Sequence, residues 1–229
     1  MTREDGENYV VTFAHSMIDC APLWARLQRE FICTPYQRLD FCRSWFETQG
    51  DGKATPCSVL VSDSGGAPLL FLPLMIEIKQ GMRIASFIGE SHTNFAVPLF
   101  QPGHVFTRAA LSSILEKFAK AAEIDAFYFD KMPARWAGQP NPLLSLQHKP
   151  AADKAYWHRL RPDPETTFAS MRSANHLKQL RSKRRKMEEL GKIEFGEAVY
   201  QSERSDALKV FFSQKSRWCQ DSGVPDVFN

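Results

Sequence analysis

Residues 58–88 read SVLVSDSGGAPLLFLPLMIEIKQGMRIASFI. Ser58–Val61 is short and β-branched. Ser62–Gly66 gathers turn-forming residues, and Pro68–Lys79 is a long apolar run, so the two segments read as a β-hairpin. Gln80-Gly81 turns the chain again, and Arg83–Ile88 supplies another strand. Pro73 has no N–H to give to a ladder, which places it at a sheet edge or a bulge. The longest apolar run, Ala67–Ile76, is ten residues, against about 20 for a membrane span.

Upstream, Leu23, Leu27 and Phe31 follow Asp19 at helical spacing, which predicts a short amphipathic helix. Thr34-Pro35-Tyr36-Gln37 then reads as a helix start: Thr caps, Pro suits the first helical position, and Gln37 stands where a capping box puts Glu or Gln. Leu39, Cys42, Trp45 and Phe46 continue the apolar stripe until Gly50-Asp51-Gly52. Downstream, Gly89–Asn94 reads as a polar loop and Phe95–Phe100 as an extended piece. Thr107 caps a helix with Leu111, Ile114, Leu115 and Phe118 on one face, and Ala126–Asp130 returns as a strand. The order predicts an α+β fold, a mixed sheet covered by helices.

The chain has 229 residues, enough for one large domain or two small ones, with 43% hydrophobic residues and a balance of charge that excludes disorder. Met1–Asn8 is polar and acidic, unlike a signal peptide, so a cytoplasmic protein is expected. The five cysteines are scattered without C-x-x-C, and none of the six histidines forms H-x-x-x-H. Neither a disulfide framework nor a metal site is expected.

Ala137–Pro164 is a connection with five prolines, in which Trp157 and Leu160 are expected to pack down. Thr166/Thr167 opens a helical run to Leu190, stopped by Gly191. Lys192–Tyr200 reads as a strand, and Ser202 opens a last helix carrying Leu208, Phe211, Phe212 and Trp218. These last 38 residues are too few to fold alone. They are expected to begin a second domain rather than complete the first.

Charge is concentrated. Net charge is +3, yet Arg172–Lys192 holds eight basic residues and two acids, a local patch able to attract anions. On a helical wheel Leu177, Leu180, Met187 and Leu190 share one side, while Lys178, Arg181 and Arg185 share another. Arg184 falls inside the apolar stripe and must find an acid, bind an anion or reach out to water. A solvated linker helix fits the same charge run. RNA is not the expected partner, because no aromatic residue is interleaved for base stacking.

Several landmarks then align: Thr34-Pro35-Tyr36-Gln37 with Trp45 behind it, Leu72-Pro73-Leu74, Phe87-Ile88-Gly89, and Arg181–Leu190 followed by Gly191. Together they resemble the acetyltransferase family associated with cellulose biosynthesis, the CelD type, among the GNAT-like acyl-CoA N-acyltransferases related to Fem-type peptidyltransferases. The resemblance implies a GNAT-like, mainly antiparallel mixed sheet flanked by helices over residues 1–165, a basic bridging helix over 166–191, and the start of a second GNAT-like, acyltransferase unit over 192–229. It implies acyl-CoA, such as acetyl-CoA, as co-substrate, with an amine or hydroxyl of a polysaccharide precursor or small metabolite as acceptor. Two departures stand out. No Q/R-x-x-G-x-G/A loop is present, Arg83-Ile84-Ala85-Ser86 having the Arg without the glycines, and Asn94-Phe95 stands where the family often has Asp before an aromatic.

Acyl transfer to an amine needs a base and oxyanion donors. Glu90, His92 and Asp130 are candidate bases, but no catalytic residue is assigned. Glu90 and His92 flank Ser91, yet triad members meet through the fold and no G-x-S-x-G elbow surrounds Ser91. Asp130 reads as a turn residue. Lys178, Arg181, Arg184 and Arg185 are expected to hold an anionic group, and Tyr36 and Trp45 to line a pocket. The rival reading is a degenerate GNAT-like binding module whose basic helix docks RNA or an acidic partner.

Overall fold

The computed structural model describes residues 9–50, 52–152 and 154–226. The chain divides into two compact units, Met1–Tyr156 and Trp157–Asn229. The first unit is built on the strands anticipated above: β2 (Thr55–Ser62), β3 (Pro68–Lys79) and β4 (Met82–Phe87), each antiparallel to the next. Gln80 and Gly81 both take positive φ, which matches the tight turn to the twist of its strands. Outside them lie β1 (Val10–Ala14), antiparallel to β2, and β6 (Ala126–Tyr128), parallel to β4. A short β5 (Leu99–Phe100) pairs with β3 at Leu70 and Phe71. The fold is thus α+β with a mainly antiparallel sheet.

Alternation along β2 and β3 sends side chains to two cores. Cys57, Val59, Val61, Leu70, Leu72, Leu74 and Ile76 meet helix α3 (Arg108–Ala122) through Leu111, Ile114 and Phe118. Phe71 and Met75, on the opposite face, pack with Trp24 and Leu27 of α1 (Met17–Glu30) and Cys42 and Trp45 of α2 (Leu39–Trp45).

Several local expectations are corrected. Pro73 is neither at an edge nor in a bulge: it lies in the central strand opposite Ser58. Its own carbonyl accepts from Ile88 N at 3.3 Å. Its missing N–H therefore points at the gap between the partners β5 and β4, where no ladder bond is lost. Helix α1 starts two residues before Asp19, because Ser16 is the cap and accepts from Asp19 N. The predicted helix from Thr34 splits into a 3-10 turn, Pro35–Gln37, then α2 and a π turn, Phe46–Gly50, with Arg38 extended between the first two.

Gln37 explains that split. Its side chain turns back to the hydroxyl of Thr34 and not to the Thr34 N–H that a capping box would engage. It accepts from Thr34 Oγ1 and from Val97 N at 3.3 Å, and donates to Phe95 O at 3.3 Å. Its backbone carbonyl accepts from the buried Trp24 indole at 2.9 Å. Helix α2 is capped from outside instead, by Gln28 Oε1 accepting from Leu39 N at 2.9 Å.

Edge strand β1 gave no turn-bounded signal and was not anticipated. The long connection opens in a hairpin of β7 (Arg135–Trp136), just before it, and β8 (Gln139–Pro140), turning through Ala137 and Gly138, both at positive φ. Trp157 and Leu160 do not pack down; both are largely exposed.

In the second unit the helical run is two helices, α4 (Pro164–Met171) and α5 (Ala174–Leu190). Asp163 and Ser173 cap them, because Thr167 is buried and its hydroxyl accepts from Arg161 N at 2.8 Å. The two bonds from Thr166 to Asp163 lower that carboxyl's pKa. The chain leaves α5 at Gly191 in extended backbone rather than a left-handed cap. Lys192–Tyr200 is not a strand: no ladder partner pairs with it among the described residues, and Phe195 is fully exposed. Helix α6 (Gln201–Ser222) follows, its entry fixed by Glu203 Oε2 accepting from Val199 N and Tyr200 N.

Two tests follow from this packing. Gln37→Leu leaves Phe95 O, Val97 N and Thr34 Oγ1 without their buried partner, so urea unfolding should show a loss of about 2–3 kcal/mol. Burial pushes the Cys33 and Cys57 thiols up to about 12, and Cys42 higher than its ordinary value. Unfolded thiols ionise near pH 9 while the folded ones do not. Their contribution is therefore intact below about pH 9 and is lost as pH rises toward 12. The fall in urea midpoint between about pH 9 and 11 should be shallower in the Cys33→Ala/Cys57→Ala variant.

Candidate functional site

The register of the sheet places one polar surface. Met75 pairs with Ser86, Glu77 with Ile84, and Ser86 with Tyr128, so Glu77, Ser86 and Tyr128 share the face that carries Phe71 and Met75. Helices α1 and α2 pack on the apolar part of that face. The polar part lines an open cleft of about 390 Å³, bounded by the loop residues Ser91 and Thr93 and by Asp130 and Lys131 beyond β6.

The loop wall is held at several points. Trp45 Nε1 donates to His92 Nδ1 at 3.2 Å, and Asn94 Nδ2 donates to Tyr36 OH at 2.9 Å. Lys131 Nζ donates to Thr93 O at 2.8 Å and to Ser91 O at 3.5 Å, while Lys131 O accepts from Ala96 N at 3.0 Å. At the base of the loop Gly89 has φ +115°, and a Cβ there would lie 2.4 Å from Thr93 Cγ2 and 3.1 Å from Phe41 Cε1. Only glycine fits this backbone and this space.

Tyr36 and Trp45 thus serve one loop, but neither lines this cleft. Tyr36 packs edge-on to Phe41, and Trp45 is buried in the second core. The Asn94 amide is engaged as the donor to Tyr36. Of the candidate bases, the Glu90 side chain lies outside the described residues. His92 is exposed, with Nδ1 accepting from the indole of Trp45. Asp130 is both a turn residue and part of the cleft: Oδ1 accepts from Lys131 N at 2.7 Å, and Lys131 has a φ of 53°.

Glu77, Ser86 and Tyr128 were not singled out from sequence. Their signal was a polar residue in an apolar strand, Glu77 in Pro68–Lys79 and Ser86 in Met82–Phe87, which period-two pairing then assembles. Arg83 is engaged within the fold. Its guanidinium donates to Glu123 O at 2.8 Å and Ala122 O at 3.3 Å, closing the C-terminus of α3.

The cationic residues lie in the second unit, where α5 buries no side chain. Arg181 pairs with Glu165 at 3.5 Å and Arg184 with Glu188 at 3.0 Å. Arg184, set in the apolar stripe, has found its acid one turn along its own helix. Lys178 and Arg185 are exposed and have no acidic partner among the described residues. Among the described residues no group of three His, Cys, Asp or Glu could hold a metal ion, and no helix is long and apolar enough to cross a membrane.

The chain matches no family model and no curated protein.

Gly89→Ala should release this loop. The strained φ and the contact with Thr93 together cost about 2–4 kcal/mol, and amide exchange at Ser91–Asn94 should accelerate more than exchange in β3.

Proposed function

We propose that this chain acts in acyl transfer from acyl-CoA, of the GNAT-like, CelD type, to an amine or hydroxyl acceptor, and that α5 holds the anionic co-substrate. The reading draws on the family resemblance, and one observation supports it: a helix whose Lys178 and Arg185 stand exposed with no acidic partner among the described residues, beside Arg181 and Arg184 in exposed, weak pairs. Such cations complement the phosphates of acyl-CoA.

The first unit does not fit the pyrophosphate itself. Helix α3 opens at Thr107, whose hydroxyl accepts from Ala110 N at 3.1 Å, and the preceding segment has no glycine-rich cradle to present several N–H groups to an anion. No step of acyl transfer is therefore assigned to residues of that unit. In this reading it orients an acceptor and supports the transfer chemistry.

The same cations support the alternative of a binding module for RNA or an acidic partner. Phosphate contacts to RNA make affinity fall steeply with salt.

Calorimetric titration of acetyl-CoA into the full chain tests the reading. Arg181→Ala/Arg185→Ala should weaken binding by about tenfold. No heat, or affinity unchanged in the variant, argues against it. RNA captured on filters at low salt and released at high salt, with no acetyl-CoA binding, favours the module.

A further inference from the structure

The cleft on the β3–β4–β6 face carries chemistry of its own. Its described charged groups are two carboxylates, Glu77 and Asp130, and two ammoniums, Lys79 and Lys131. Lys79 is 2.9 Å from Glu77, and Lys131 is bonded to the main chain of the loop. The charges cancel and the ammoniums are engaged, so the cleft offers a phosphate or a carboxylate no cationic grip.

What it does offer is hydroxyl chemistry. The side chains of Ser86, Ser91 and Tyr128 make no hydrogen bond to another described residue, and Asp130 uses one oxygen on Lys131 N. Three groups that both donate and accept, with one carboxylate oxygen that accepts, thus surround one space. Tyr128 is 62% exposed, which leaves an aromatic side chain beside them. An apolar platform ringed by neutral hydroxyls and a carboxylate matches a ring with C–H faces and an equatorial rim of hydroxyls.

We propose that this cleft binds an uncharged, hydroxyl-rich ligand the size of one sugar ring, stacked on Tyr128 and hydrogen-bonded by Ser86, Ser91 and Asp130. Within the acyl-transfer reading this would be a place for a saccharide acceptor, but the site is argued from the cleft alone, and binding here needs no acyl donor.

The test is an amide chemical-shift titration of the full chain with methyl β-glucopyranoside and with myo-inositol, up to about 50 mM, the range for a small open site. Shifts should concentrate at Ser86, Ser91, Tyr128 and Asp130. Tyr128→Ala and Asp130→Asn should each weaken binding by about fivefold or more, with the spectrum otherwise retained. AMP and butylammonium serve as anionic and cationic probes. The proposal is overturned if neither polyol moves these resonances, if either charged probe moves them at lower concentration, or if both variants bind the polyols as the parent chain does. Loss of acetyl-CoA binding alone leaves it standing.

Discussion

The first unit depends on one strand being able to pair on both edges along its length. β3 meets β2 on one side and shares the other between β5 and β4. A proline in such a strand would ordinarily remove a ladder bond. Here it falls where one neighbour has ended and the next has yet to begin. The sheet's two buried faces follow from this continuity, because alternate residues of β3 feed one core under α3 and another under α1 and α2.

Much of this was legible in the sequence, for a physical reason. The hairpins announce themselves through turn residues, and α3 through its cap at Thr107 and its apolar stripe. The misreadings share a cause as well. Gln37 looked like a local cap, yet its amide spans 60 positions to reach Val97 N. Lys192–Tyr200 alternates as a strand does, yet alternation creates no ladder without a neighbour. Trp157 and Leu160 looked like core because hydrophobicity says what a side chain avoids, not whether anything covers it.

The candidate sites divide in the same way. The basic stretch was visible as composition, and its pairing with Glu165 and Glu188 is a matter of helix spacing and the entry of α4. The cleft was invisible. Glu77, Ser86 and Tyr128 lie on three strands, and only the register sets them side by side. Tyr36 and Trp45 read in the sequence as the lining of a pocket. In the fold their polar tips hold the cleft's loop wall, a role that becomes apparent only when His92 and Asn94 are placed beside them.

The parallel pairing of β4 with β6 has a kinetic corollary. The β2–β3 and β3–β4 pairings can grow outward from tight turns, but β6 reaches β4 only after the chain has traversed β5 and α3, much as β1 reaches β2 only across α1 and α2. Closing a loop of that length costs about 3 kcal/mol of chain entropy before any contact offsets it. The docked α3 must supply that compensation, so the Ala126–Tyr128 edge should zip after the β2–β3 and β3–β4 hairpins and open before them. Asp130 and Lys131 sit immediately beyond that edge, and the far wall of the cleft therefore inherits a seam less durable than the hairpins. Native-state hydrogen exchange would read this as faster opening at β6 than at the β2–β3 hairpin.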